Sequence, residues 1–594
     1  FVGNINFDYT FNKTFKLSNL TGVTYDKYQE TLFIPRKGVI NDTLSNFVAD
    51  SRLGSQVGRY FNVFNDFRLT FDKTIGKHHK IHAIAGFRYS ESDSEQDFAL
   101  GFNSATDQLI GIANSNATIR TFGGDIGRWR TLNNYITGNY SFADKYLVNF
   151  SMAVDGSSRF GAKDGLGFLN FDDGLRINGN RFAVLPAIGA AWVISSESFM
   201  RNLNRVDLLK LRMSYGLTGN DDVGNFTARK YYTSQNILGI RGLVTGNYAN
   251  PNLQWETVRK FNAGIDGSFF GERLSISIDG YVNTTKNMLT YQLVNSLTGT
   301  ASFLGNNGGM RTKGLDLTIN GRILNNTFKW DAGLTLGTST NKITSLPDGN
   351  SIITSYAGGT YITAVGQSAN QFFGHTTNGV YTTDAEAAAA GLSIRNSLGN
   401  IVPFTGGDVR FIDTNGDKII DDADRTIIGN PNPNFYGSIT STFTYKNWSL
   451  DALVNFVSNN DVYNYTRAQL ESSSNYYNQT LAVNNRWRGN GQITNTPKAT
   501  FGDPMGNARF SDRWIEDGSF LRLRTVSVTY NVPLKIKAIK YAKVYATGNN
   551  LLTLTNYLGF DPEFSNTGSL FTQGVDTTLD PQFRSVQLGI RVGL

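Results

Sequence analysis

Two stretches between Val258 and Asn283, VRKFNAGIDGSFF and RLSISIDGYVN, set apolar and polar residues in alternation. Phe261, Ala263, Ile265, Gly267 and Phe269 share one side of the first, and Leu274, Ile276, Ile278, Gly280 and Val282 share one side of the second. Successive residues of a strand point to opposite sides, so each stretch reads as a strand with one apolar and one polar face. Only a few residues around Gly271 and Glu272 separate them, which predicts an antiparallel hairpin. Strands of soluble proteins average about 5–6 residues, whereas a tilted strand crossing a bilayer needs about 9–11. Alternation suits a soluble sandwich and a membrane barrel alike. The length of these arms favours an all-β, antiparallel transmembrane barrel, apolar face to lipid and polar face to lumen.

The pattern recurs in pairs along the chain. Short turns close the pairs at Asn12-Lys13, around Gly76, at Ala143-Asp144-Lys145, Asn325-Asn326 and Lys446-Asn447. A basic turn joins the alternating stretches at 521–532 and 541–548. Long loops separate the pairs, the longest at about 341–431 and 458–519. Polar stretches reaching to about residue 56 and to about residue 129 also read as loops. The tally is roughly seventeen strands. Short turns at one end and long loops at the other match outer-membrane barrels, whose turns are periplasmic and whose loops are extracellular.

Composition agrees with this reading. Gly numbers 62, Phe 41 and Tyr 27 against 12 Pro, and no apolar run approaches the ~18 residues of a transmembrane helix. The absence of Cys rules out disulfide scaffolds and thiolate metal sites. The net charge of +7 is dispersed, with no Lys/Arg run of the kind that binds nucleic acid. The chain opens in mid-strand at Phe1-Val2-Gly3-Asn4-Ile5, which reads as a portion of a longer protein.

A collinear set of short motifs resembles the SusC/RagA family of TonB-linked outer-membrane transporters. It includes Asp155-Gly156-Ser157-Ser158-Arg159-Phe160, Ser214-Tyr215-Gly216-Leu217-Thr218-Gly219-Asn220 and Asn250-Pro251-Asn252-Leu253-Gln254-Trp255-Glu256. Further along stand Asn307-Gly308-Gly309-Met310, Asp413-Thr414-Asn415-Gly416-Asp417, Gly548-Asn549-Asn550-Leu551-Leu552-Thr553 and Asp561-Pro562-Glu563. The resemblance implies that residues 1–594 are the TonB-dependent receptor β-barrel domain of a 22-stranded barrel, incomplete at its N-terminus. It implies a plug, TonB and a SusD-like surface lipoprotein as partners, and a Gram-negative outer-membrane location. It also implies import of glycans or peptides rather than catalysis. The terminal Leu594 departs from the aromatic end common in the family. The alternatives are a passive porin or adhesin barrel and a secreted calcium-dependent glycan-active β-protein.

No catalytic constellation stands out. His78, His79 and His82 cluster at a predicted turn, where the four-residue spacing gives no shared face on a strand. The run from Asp413 to Asp424 places Asp413, Asn415, Asp417, Asp421 and Asp424 at calcium-loop spacing, with Ile420 as the apolar eighth position. Lys418 stands where such loops carry Gly, and Asp424 is short for bidentate reach. Calcium is therefore set against a plain acidic turn. Tyr463, Tyr465, Tyr476, Tyr477, Trp487 and Trp514 are candidates for stacking on a ligand or partner, set against packing of the loop on itself. The run Asp384-Ala385-Glu386-Ala387-Ala388-Ala389-Ala390-Gly391 predicts a short helix with an Asp N-cap and a Gly stop.

Overall fold

The computed structural model describes the chain except residues 38–40, 45–46, 162–166, 171–173, 178–179, 238–239, 296, 298, 301, 348, 350, 397, 535–538, 565–572 and 594. Leu594 and the basic turn at 535–538 thus lie outside the described residues. One sheet holds nineteen strands. Two of these, Gly167–Asn170 and Gly174–Ile177, are four-residue pieces, which leaves seventeen long ones. The chain divides into two compact units. Residues 1–192, 213–260 and 285–307 form the first, and 193–212, 261–284 and 308–594 the second.

In the first unit the strands Val2–Thr10, Phe15–Ile34, Arg52–Ile75, His79–Phe102, Thr121–Phe142, Tyr146–Ser157 and Asn180–Val193 pair in chain order, each antiparallel to the next. Three of them reach 22 or 24 residues. The polar stretches read as loops up to residues 56 and 129 are therefore largely strand. Thr24 through Ile34 pair with Asn62 back to Arg52, and Ser92 through Leu100 with Trp129 back to Thr121. These outer halves lack an apolar face, so alternation does not reveal them. Backbone pairing holds them extended, on both sides for Arg52–Asn62 and Ser92–Leu100 and on one side for Asp26–Ile34 and Thr121–Trp129.

One face of this wall changes character along its length. Leu69, Phe67, Ala85 and Phe87 cover it near the short turns. Beyond Tyr89 the same face carries Glu91 opposite Arg130, Asp93 opposite Arg128 and Glu95 opposite Arg59, each an ion pair. At the turn end, His79, Phe142, Tyr146 and Trp192 lie in register across four strands. Phe142 stacks on Tyr146 at 6.2 Å and Tyr146 on Trp192 at 6.5 Å.

The hairpin predicted at 258–283 appears as Glu256–Phe269 and Leu274–Leu293. Its connection turns through positive φ at Phe270, Gly271 and Glu272. The predicted polar faces meet. Ser277 donates to Asp266 across the arms at 2.8 Å, and Arg212 grips Asp266 at 2.9 Å and Asp279 at 2.5 Å.

In the second unit the strands from Ser302–Asn325 through Phe328–Ser345, Phe435–Tyr445, Trp448–Ser458, Phe520–Val532, Tyr541–Thr555 and Ser585–Gly593 also pair in order. Several are only 11 to 13 residues long. Their long loops fold into a body with its own apolar interior. Ser351–Tyr356, Gly359–Ala364, Gln371–Gly374 and Thr426–Gly429 make a four-stranded sheet within it. The helix Asp384–Ala390 is present with its Gly391 stop at φ 68°. Its N-cap is Thr383 rather than Asp384, because the Thr383 hydroxyl accepts the Glu386 N–H. That frees Asp384 to accept from Gly406 of another loop.

Candidate ligand-contacting loops and polar strand face

The second unit's loop body has two apolar centres. One gathers Tyr381, Ile394, Phe404, Val409, Phe411 and Ile420, the other Tyr361, Phe372, Tyr463, Phe510, Trp514 and Val575. Such interiors fix loops that would otherwise carry unsatisfied backbone at high entropy cost.

The Asp413–Asp424 loop is anchored on the first centre by Ile420, 1% exposed. Lys418 adopts φ 64°, the left-handed conformation the pattern asks of its sixth position. The carboxylates are engaged by backbone. Asp413 accepts from Gly416 and Lys418, and the fully buried Asp424 from Thr414 and Asp421. Asp421 and Asp424 form a reciprocal capping box. Among the described residues no group of three or more His, Cys, Asp or Glu is placed to hold a metal ion. His79 and His82 bond Tyr140 and Asp72 respectively.

A cavity of about 590 Å³ adjoins this loop, lined in part by His375, Arg395, Asp421, Asp422, Arg425 and Arg509. His375 meets the Asp421 carbonyl at 3.0 Å. Burial, and next the nearby Arg509 charge, hold its imidazole below the ordinary histidine value, so it is neutral. Arg509 donates to the Gly506, Ile420 and Met505 carbonyls and stacks on Phe411. The Asp421 contact to His375 is a backbone carbonyl, so the geometry fastens loops and builds no nucleophile and base pair.

The six candidate aromatics divide. Trp514 and Tyr463 are 0% and 3% exposed and pack the second centre, where Tyr463 also donates to the Ala357 carbonyl. Tyr465 is half-buried beside Tyr463. Trp487 is half-buried over Gly407 and donates to the Thr382 carbonyl at 3.0 Å. Tyr476 and Tyr477 stand in solvent at 90% and 69% exposure, with Tyr476 against Phe501 at 4.8 Å.

Sequence reasoning missed a recurring device on the strands. An aromatic ring lies across a glycine directly opposite it in register, so that a Cβ there would strike the ring. Phe64 covers Gly22, Tyr28 covers Gly58, Tyr135 covers Gly86, Phe98 covers Gly123 and Phe182 covers Gly156. In the second unit Tyr436 covers Gly337 and Tyr545 covers Gly589. Aromatic rings thereby compensate the lost packing of strand glycines. The signal was present in the composition, 62 Gly with many aromatics, but each pair joins positions that only the strand register brings together.

The family model described as TonB dependent receptor-like, beta-barrel matches residues 2–551. The chain belongs to this TonB-dependent receptor family. TonB-dependent receptor P3 of Formosa agariphila is 29% identical over 553 residues, covering 89% of the chain and 52% of the relative. TonB-dependent receptor SusC of Bacteroides thetaiotaomicron is 27% identical over 468 residues, covering 76% of the chain and 42% of the relative. The chain thus spans about half the length of the curated relatives it matches. A structure of the RagAB peptide transporter superposes over 100% of the chain and 61% of its own, with a TM-score of 0.80 at 24% identity, and so shares the fold. The antiparallel sheet of this TonB-dependent receptor is therefore that of an outer-membrane β-barrel family.

Proposed function

We propose that the protein imports large nutrients, glycans or peptides, across the outer membrane of a Gram-negative bacterium. A SusD-like lipoprotein captures and covers the ligand, and TonB supplies the energy through a region outside this chain. The family match over residues 2–551 carries the reading.

The wall's two faces support it. Lipid covers the apolar face between the aromatic row at His79 and Phe142 and the first ion pair after Tyr89. From His79 to Tyr89 the strand advances about 33 Å, or about 25 Å along the axis at the usual tilt, the height of a barrel's apolar band. Arg or Lys at mid-bilayer costs about 2–4 kcal/mol, so the ladder begins where lipid ends. The remaining strand and the long loops then stand outside the cell. The apolar residues face outward, Ile136, Phe150, Ile188 and Leu588 among them, as lipid contact requires and a soluble sandwich does not. Calcium at the Asp413–Asp424 loop is a subsidiary proposal, supported by its spacing and by the left-handed Lys418.

Purification of the full-length protein from outer membranes, with mass spectrometry of what accompanies it, tests the reading. A stoichiometric lipoprotein is expected. A barrel that purifies alone, and whose gene encodes no plug, would make it a porin or adhesin.

A further inference from the structure

From the polar face of the first unit's wall we infer a binding subsite for a neutral oligosaccharide, centred on Tyr28. The inference rests on the importer reading, in which this face lines the lumen.

Tyr28 lies flat across Gly58, so one side of its ring is against the sheet and the other is open. Tyr28 is 37% exposed. Its hydroxyl donates to Gln96 and accepts from Gln56, both at 3.3 Å, so two amides on neighbouring strands fix the plate. Each amide has further donor and acceptor capacity. Asp26 and Glu30 flank Tyr28 on the same face, two residues to either side, with no hydrogen-bond or ion-pair partner among the described residues. Opposite Asp26 stands Tyr60, whose ring lies 6.1 Å from Trp129 and whose hydroxyl meets Ser92 at 3.3 Å. Arg159 covers one side of Trp129 at 4.8 Å.

This combination matches a sugar chain. A flat ring takes the C–H face of a pyranose, and amides and carboxylates pair with its hydroxyls. The carboxylates of Asp26 and Glu30 repel uronates and sulfates, which sets the ligand as one without acidic groups. A peptide would ask instead for side-chain pockets or for the edge of Asp26–Ile34, which pairs on one side only, whereas the ring, amides and carboxylates described here belong to the face rather than to that edge. Gly58 is the enabling residue, because any side chain there displaces the plate.

The test uses the full-length protein with its partner lipoprotein in detergent. Calorimetry would compare neutral glucose, mannose and xylose hexaoses with a hexauronate and a mixed peptide pool. We expect at least one neutral hexaose to bind. Tyr28→Ala should weaken it roughly tenfold, the worth of one aromatic contact, with Tyr28→Trp close to wild type. Gly58→Val should resemble Tyr28→Ala. Preference for the hexauronate or the peptides, no binding of any neutral hexaose, or binding indifferent to Tyr28→Ala would overturn the subsite. Peptide uptake by cells carrying Tyr28→Ala, at the wild-type rate, removes the subsite and leaves the importer. Hexaose binding that depends on Tyr28 but supports no uptake keeps the subsite and removes the importer.

Discussion

The long-stranded wall and the loop body solve the same problem in opposite ways. The wall, from Phe15–Ile34 to Thr121–Phe142, sets apolar side chains outward and holds itself by backbone pairing. The loop body hides its apolar side chains inside, around Trp514, Phe372 and Val409, each 0% exposed. On the proposed reading lipid is the wall's neighbour, and exposure of Phe67 or Leu69 then costs nothing. Where water is the neighbour, loops of this length need an interior. The ion pairs follow the same division. Those of the wall, such as Arg130–Glu91, are open to solvent and contribute little to stability. The Arg522–Asp561 pair is 2% and 8% exposed and holds a loop to a strand end.

Removing a buried partner should break the loop body first. Arg522→Ala strands Asp561 without its cation and should cost about 3–5 kcal/mol. Trp514→Ala opens the second apolar centre and should cost a similar ~3–5 kcal/mol. Limited proteolysis of detergent-purified protein should cut first at the loop carrying Asp561 for Arg522→Ala and at the loops 346–434 and 459–519 for Trp514→Ala, with the wall still resistant.

Next in size is the wall's own contrast. Leu69→Arg places a charge in the apolar band and should cost about 2–4 kcal/mol, against about 0–1 for Ile126→Arg, which stands opposite Glu95 within the ladder. Reversible folding into vesicles measures both, and equal costs would erase the proposed lipid boundary.

A smaller effect separates the regions by pH. The neutral, buried His375 has its folded value below the ordinary one, so the unfolded chain binds the extra proton. The loop body should therefore be fully stable above about pH 6.5 and lose stability as pH falls below it. Proteolysis of the loops across pH 5 to 8 should show this slope, and His375→Gln should flatten it. Least of all, calcium should raise the protease resistance of 413–424 only at millimolar levels, the weak end for extracellular sites. No change at such levels would leave Ile420 and the backbone hydrogen bonds as that loop's fastening.

What the sequence by itself determined is what local alternation reports. It yielded the strand pairs with their short turns, the roughly seventeen strands, the apolar and polar faces of the hairpin around Gly271, and the helix before Gly391. Each follows from neighbours within a dozen residues and from the two-sided environment of a membrane strand. Only the tertiary structure decided the rest. The outer halves of the wall carry no apolar face, so their extension depends on partners far along the chain. Burial of Tyr463 and Trp514, against exposure of Tyr476 and Tyr477, depends on how separate loops close over one another. The plate of Tyr28 on Gly58 exists only in one register, and a shift of a single residue would turn both to the other face.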